Sequence, residues 1–355
     1  MRRRTLKDDI YYRIASKRAL AASRSSRKFN PNKPAHAVRV LGRQKIIAPP
    51  IISFFAHKDY KAFFDFIRTL KMAAAKSKVV IDLSQVSEVK AAAMLIFYAV
   101  VERLQIRYGK NHVKTIDCKT QFISAIFYRF GFWSLTQESR SRRNFKISGN
   151  LEICSTSYKD KEAGDTSQLR RVIEYVQNSI LESGMDGEEG VKAFAAITES
   201  CSNVWQHAYD DAFYSDPPSD DDKNWWVAVE KIGTQLFIAV YDSGVGIPVT
   251  LSKKPWYGEL IAELLTKLGW SGANDGLAIR AAVEYGNSRF KKGGRGKGLA
   301  EAKDFVAANP DGTMLIYSGS GSYEFKAGKP ELLELLPSPM MGTLIQWNLK
   351  LGSSS

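Results

Sequence analysis

The segment from Asn224 to Pro248 constrains the fold more than any other. Residues 224–232 (NWWVAVEKI) and 236–248 (LFIAVYDSGVGIP) read as two hydrophobic strands joined by a tight turn at Gly233. The second strand stops in Asp-Ser-Gly-Val-Gly-Ile-Pro. A carboxylate at a strand end, here Asp242, can accept a hydrogen bond from an exocyclic amine, and Gly244 and Gly246 let the backbone approach a planar base. Asp-x-Gly is also a common turn, so by itself this segment is equally compatible with an ordinary loop.

Two further stretches carry chemistry. Residues 194–209 (FAAITESCSNVWQHAY) read as a helix whose apolar members Phe194, Ile197, Cys201, Val204, Trp205 and Ala208 fall in one sector at about 100° per residue. Glu199, Asn203 and His207, spaced i, i+4 and i+8, fall opposite, offering a carboxylate, an amide oxygen and an imidazole to one ligand or forming a plain polar face. In residues 293–306 (GGRGKGLAEAKDFV), Gly294, Gly296 and Gly298 precede a helix starting near Leu299. A glycine-rich turn entering a helix presents free N–H groups and a partial positive charge, which suits phosphate. Arg295 and Lys297 add charge; the Walker pattern GxxxxGK[ST] is not matched, and a surface loop is the alternative.

In this order and at these separations the three segments resemble the N, G1 and G2 boxes of the GHKL (Bergerat-fold) superfamily, which includes gyrase B-type ATPases, MutL, histidine kinases and anti-sigma factor kinases. The resemblance covers about 170–350, and Gly342-Thr343, opening the last strand GTLIQWNL, is similar to the family's terminal Gly-Thr element. It implies an α/β sandwich with a mixed, mostly antiparallel sheet covered by helices on one face. By the same resemblance, ATP and Mg²⁺ are the expected cofactors and Asn203 is the magnesium ligand. Asp242 would bind the adenine amino group, with Thr343 supporting it through a water. Gly244, Gly246 and Ile247 would line the base pocket, and Gly294, Arg295, Gly296, Lys297, Gly298 and Leu299 would close on the phosphates. Glu199 takes the place of the general base. A histidine four residues after the asparagine, here His207, is closest to the anti-sigma factor serine kinase form of the N box. None of the four histidines forms a His-Glu pair ahead of the module, which disfavours a conventional histidine kinase. The stretch 248–292 exceeds a minimal kinase lid; Ser288 and Arg289 there are open to phosphate recognition or to a solvated loop.

Ahead of this module, residues 53–76 read as a helix, KVVIDLSQVSEV as a buried-type strand, 91–107 as a helix, 112–118 as a β-leaning stretch, and 121–130 as a helix ending at Gly131. That βαβα order argues for a small α/β domain. The phrase VVIDLSQVSEVKAAAMLIF resembles the STAS domain of bacterial anti-anti-sigma proteins. Where that family places a phosphoacceptor serine, this chain has Lys90, Ala91, Ala92 and Ala93, which implies a docking or scaffolding role and no phosphorylation switch. The expected organisation is a basic arm (1–40), a STAS-like domain (41–140), a linker (141–166) containing the basic cluster Arg140 to Arg143 at its edge, and a GHKL domain (167–351).

Charge decides what the arm contributes. Of the formal +14, residues 1–45 hold +12, with 14 Lys/Arg against two Asp, so the body after them is nearly neutral. The arm is either a solvated tail or a contact for nucleic acid, anionic lipid or an acidic partner. The apolar run 91–101 is too short to span a bilayer, and the N-terminus lacks the apolar stretch of a secretory signal, so a cytoplasmic setting is expected. Cys118, Cys154 and Cys201 lack zinc spacing and read as reduced thiols. The functional expectation is a regulatory Mg-ATP-binding module that hydrolyses ATP or transfers phosphate to a partner protein, with homo-oligomerisation open. The alternatives are a nucleotide-gated interaction module without turnover, or a nucleic-acid-associated ATPase.

Overall fold

A computed structural model describes residues 39–116, 118, 120–138, 151–184, 187–285 and 298–351. The chain is mixed α/β, with a parallel-type sheet near its N-terminus and a wholly antiparallel sheet of five strands after it.

The N-terminal layer runs β1 (Arg39–Val40), β2 (Arg43–Ile47), β3 (Ile51–Ile52), α1 (His57–Ala74), β4 (Val79–Asp82), β5 (Glu88–Val89), α2 (Ala91–Tyr108), β6 (Val113–Ile116), α3 (Gln121–Arg129) and α4 (Phe132–Leu135). Its sheet order is β1-β2-β4-β6, with β2, β4 and β6 parallel and β1 antiparallel, while β3 and β5 pair separately. Parallel strands need both faces covered, and VVID of β4 is buried at all four positions. Gly131, at φ +77°, turns the chain between α3 and α4.

The second layer comprises β7 (Cys154–Ser157), α5 (Tyr158–Glu162), α6 (Ser167–Leu181), α7 (Gly187–Asn203), β8 (Asn224–Ile232), β9 (Gln235–Asp242), α8 (Ile247–Ser252), α9 (Tyr257–Leu268), α10 (Asp275–Tyr285), α11 (Gly298–Ala308), β10 (Thr313–Lys326) and β11 (Leu332–Lys350). Strand order is β10-β11-β9-β8-β7, antiparallel throughout. The expected mixed character is therefore absent from this sheet. Ile232 pairs with Gln235 across a two-residue turn in which Gly233 takes φ +57°, as the tight hairpin required. Residues 154–157, inside the stretch expected to link two domains, form the edge strand β7.

Helices cover one face of this sheet, as expected, but the other face is also covered. Trp225, Val227, Val229, Ile238 and Val240 pack with α6, α7 and α11. Their neighbours Trp226, Ala228, Ala239 and Tyr241 face the N-terminal layer, where α2 lies across β8 and β9. Successive residues of a strand point to opposite faces, so the pair Trp225-Trp226 serves both cores at once. Each indole is essentially inaccessible, and burying one contributes about 4–6 kcal/mol before entropy is counted. Glu102 of α2 fixes this contact: its carboxylate accepts from Trp226 Nε1 at 2.6 Å and Ser155 Oγ at 3.1 Å. Burial holds that carboxyl above the usual carboxylate range, partly offset by these two donors.

The three cysteines are buried, and burial pushes the Cys154 thiol up to about 11, which keeps it protonated. Among the described residues no helix is long and apolar enough to cross a membrane.

Candidate functional site

The site begins where α7 changes pitch. After Asn203 the helix widens into a π-helical turn, Val204–Ala208, before the chain leaves at Tyr209. Such a turn rotates the side chains that follow it and frees backbone groups from the regular ladder. The Ala208 carbonyl, at the C-terminal end of this turn, has no intrahelical donor, and it accepts from Val245 N at 3.0 Å and Tyr214 OH at 3.1 Å. The helix end is thereby tied to the loop that follows β9.

That loop is shaped by close approach. A Cβ on Gly244 would run into the Ala208 carbonyl, and one on Gly342, at φ +80°, would meet the Asp242 carbonyl. Gly246, at φ +88°, adopts a conformation that side-chain-bearing residues avoid. Asp242 ends β9 opposite Thr343 of β11 and is only 5% exposed. Its Oδ1 accepts from Gly244 N at 2.8 Å. Burial pushes its pKa up to about 7, and the backbone N–H groups of Gly244 and Thr343 keep it from rising further. Ser318 of β10, fully buried, completes this floor. Its hydroxyl accepts from Ile247 N at 2.9 Å and lies 3.1 Å from both Gly342 O and Thr343 Oγ1.

Over the floor opens a cavity of about 680 Å³. Val240, Ile247, Leu251 and Ile345 give it apolar walls beside Asp242 and Thr343. Ser200, Asn203, Gln206 and His207 line it from α7 and its π turn. Gly298 and Leu299, the first residues of α11, also line it, and Gly298 is packed so closely on Glu199 that a Cβ there would overlap that side chain. Ala208 touches the Asp242 loop while Glu199 touches α11, and these two contacts lie roughly 13 Å apart along the helix. One end of the cavity therefore offers apolar walls and a buried acceptor, and the other a helix N-terminus. Lys254 adds a cation, and the walls of the cavity strip solvent from the His207 ring and, with Lys254, push its pKa below the ordinary histidine value. Trp256 and Tyr285 also line the cavity, stacked at 4.0 Å and 15°.

The structure thus brings Asn203, His207, Asp242, Gly246, Ile247, Gly298, Leu299 and Thr343 to one cavity. Gly244 stands behind it in the turn, and Glu199 is displaced from the lining onto Gly298. Gly294, Arg295, Gly296 and Lys297, with Ser288 and Arg289, lie outside the described residues. Sequence reasoning missed Ser318, Ser200, Lys254, Trp256 and Tyr285. The stretch 248–285 folds as α8, α9 and α10, and these helices carry the last three of those residues or flank them. The sequence signal was available in YGELIAELLTKL, an apolar repeat at helical spacing. Ser318, in an alternating strand, gave no signal of its own. No family model matches the sequence, and comparison with curated proteins finds no significant relative.

Proposed function

We propose that this chain binds Mg-ATP in the cavity as a regulatory module of the GHKL type, and hydrolyses the nucleotide or passes its terminal phosphate to a partner protein. The observation that carries the reading is Asp242, a buried carboxylate aimed into an apolar-walled cavity whose far end is a helix N-terminus. A buried acceptor of raised pKa is unfavourable in an empty site and favourable beside a donor that a ligand brings. An exocyclic amine on a planar base is such a donor. Gly246 and Ile247 leave room for the ring, and the N-terminus of α11 suits phosphate. Among the described residues no three His, Cys, Asp or Glu side chains gather as a metal cage. A magnesium ion would therefore take the Asn203 amide oxygen and otherwise phosphate and water oxygens, as a hard cation does, and would neutralise phosphate charge. The antiparallel sheet with the module's own helices α6, α7 and α11 on one face supports the Bergerat assignment, and the parallel strands β2, β4 and β6 support a STAS-like N-terminal layer. A cytoplasmic setting suits such an ATP-dependent regulator.

A second reading, a nucleotide-gated interaction module without turnover, is favoured by the place of Glu199. Its side chain lies against Gly298 instead of lining the cavity. In that position it can couple α7 to α11 as readily as orient a nucleophile. Incubation with γ-labelled ATP, scored for free phosphate and labelled protein, separates the two. As a base, Glu199→Gln keeps affinity within about threefold and lowers turnover by roughly 10²-fold or more. Absence of turnover in wild type under every partner condition would leave the gated module as the account.

A further inference from the structure

A side chain of the N-terminal layer hydrogen-bonds the loop beside the candidate site. On α2, Glu102 enters the buried contact with Trp226 and Ser155, and the next residue, Arg103, turns toward the loop after β9. Arg103 Nη1 donates to Ser243 Oγ at 2.7 Å, and its Nε faces Asp222 Oδ1 at 3.8 Å. Ser243 lies between Asp242 and Gly244. Its own N–H donates to Tyr209 OH at 3.1 Å, and Tyr209 OH donates in turn to Asn224 O at 2.6 Å. The peptide that delivers Gly244 N to Asp242 Oδ1 is therefore fixed on its outer side by a guanidinium from another layer of the fold.

We propose that Arg103 is a positioning residue of the nucleotide site, by which the N-terminal layer sets the shape of the Asp242–Gly246 loop. This rests on the proposed nucleotide reading for its ligand, but the positioning itself concerns the ligand-free protein. Three features carry it. The bond is charge-assisted and short, so it is among the stronger kinds of side-chain contact. Glu102 pins the helix beside Arg103 through Trp226 and Ser155, and the Asp222 carboxylate adds a longer-range attraction on the other edge of the guanidinium, so the donor is oriented before any ligand arrives. Ser243 is adjacent in sequence to Asp242, the buried carboxylate that lines the cavity, so a shift of its peptide moves the acceptor's partner directly. Any event on the N-terminal layer that moves α2 would be read at the base end of the cavity, some distance from the phosphate end at α11.

The test is a double-mutant cycle on the full chain, with Arg103→Ala, Ser243→Ala and the pair. Calorimetry gives ADP affinity with and without magnesium, and hydrogen exchange is followed at the Ser243–Val245 amides in ligand-free protein. The expected result is a roughly tenfold loss of ADP affinity in either single variant, equal with and without magnesium, and no further loss in the pair. Faster exchange should be confined to the loop, and Arg103→Lys should recover part of the affinity. Equal losses that multiply in the pair, or exchange that rises across β8 and α2 together, would make Arg103 a general packing residue and overturn the proposal. If wild-type protein binds no nucleotide, the functional reading fails, and exchange in the ligand-free loop still decides whether Arg103 positions it.

Discussion

Asp242 carries the argument at the scale of residues, because its surroundings and its charge are at odds until a ligand arrives. In the unfolded chain an aspartate ionises near 3.9; in the fold burial raises it to about 7. The folded state thus holds the extra proton. The group's contribution to stability is present in full below the unfolded value and is lost as pH rises through about 7. The ligand-free protein should lose stability from this source between about pH 4 and 7, and Asp242→Asn should flatten that part of a melting-temperature profile. Parallel profiles for the two proteins would place the carboxyl in solvent. Ligand binding runs in the opposite sense, since an amine donor needs the ionised acceptor, and affinity should rise as pH passes 7. Asp242 and its glycines were legible in the sequence only beside the helical stripe 199–207 and the glycine-rich turn 293–298, since a strand that ends in Asp-x-Gly is by itself a common turn. Ser318 and Lys254 were not, because a serine in an alternating strand and a lysine in a charged loop acquire meaning only from the residues that tertiary contacts set beside them.

Elements show how the loop and helix of the site constrain one another. The turn Val204–Ala208 ends on the Ala208 carbonyl, and Gly244 is the residue that lets the loop close on it. Gly244→Ala places a methyl group against backbone, which cannot rotate away, so the variant should lose about 1–3 kcal/mol in urea unfolding and most of its nucleotide affinity. Retention of both would mean that the loop does not bear on the helix end. The helical stripe Glu199, Asn203, His207 was read from a uniform 100° step. Glu199 and Asn203 both precede the widened turn, so only the step from Asn203 to His207 crosses it; Asn203 and His207 line the cavity, while the Glu199 side chain is packed against Gly298. Helices α1, α2 and α3 and the β8–β9 hairpin were legible from apolar spacing and turn residues. Strand β7, with the sequence CSTS, was not, since nothing in four small residues marks a strand whose partner β8 lies some 70 positions downstream.

On the scale of the whole molecule, the two layers share a core. Residues of α1, α2 and α4 pack in one apolar cluster with Trp226, Tyr241, Met340 and Leu344 of the five-stranded sheet. Tyr60 of α1 also donates to Ser338 O at 2.7 Å, closing a contact across 278 positions. Residues 39–351 should accordingly unfold in one transition, with circular dichroism and tryptophan fluorescence coincident; two separated transitions would show that the shared face is weak. Sequence order alone marked two α/β regions but not their joint core, because a continuous apolar run such as that of β8 or β9 reports that both faces are apolar without saying what covers each. The account as a whole stands on one claim, that the cavity at Asp242 receives an adenine nucleotide. Titration calorimetry of Mg-ATP into wild-type and Asp242→Asn protein at pH 8 tests it most directly. The account predicts saturable binding by wild type, with GTP much weaker, and loss of most of that affinity in the variant. Equal affinity in the two proteins, or no binding by wild type, would contradict it.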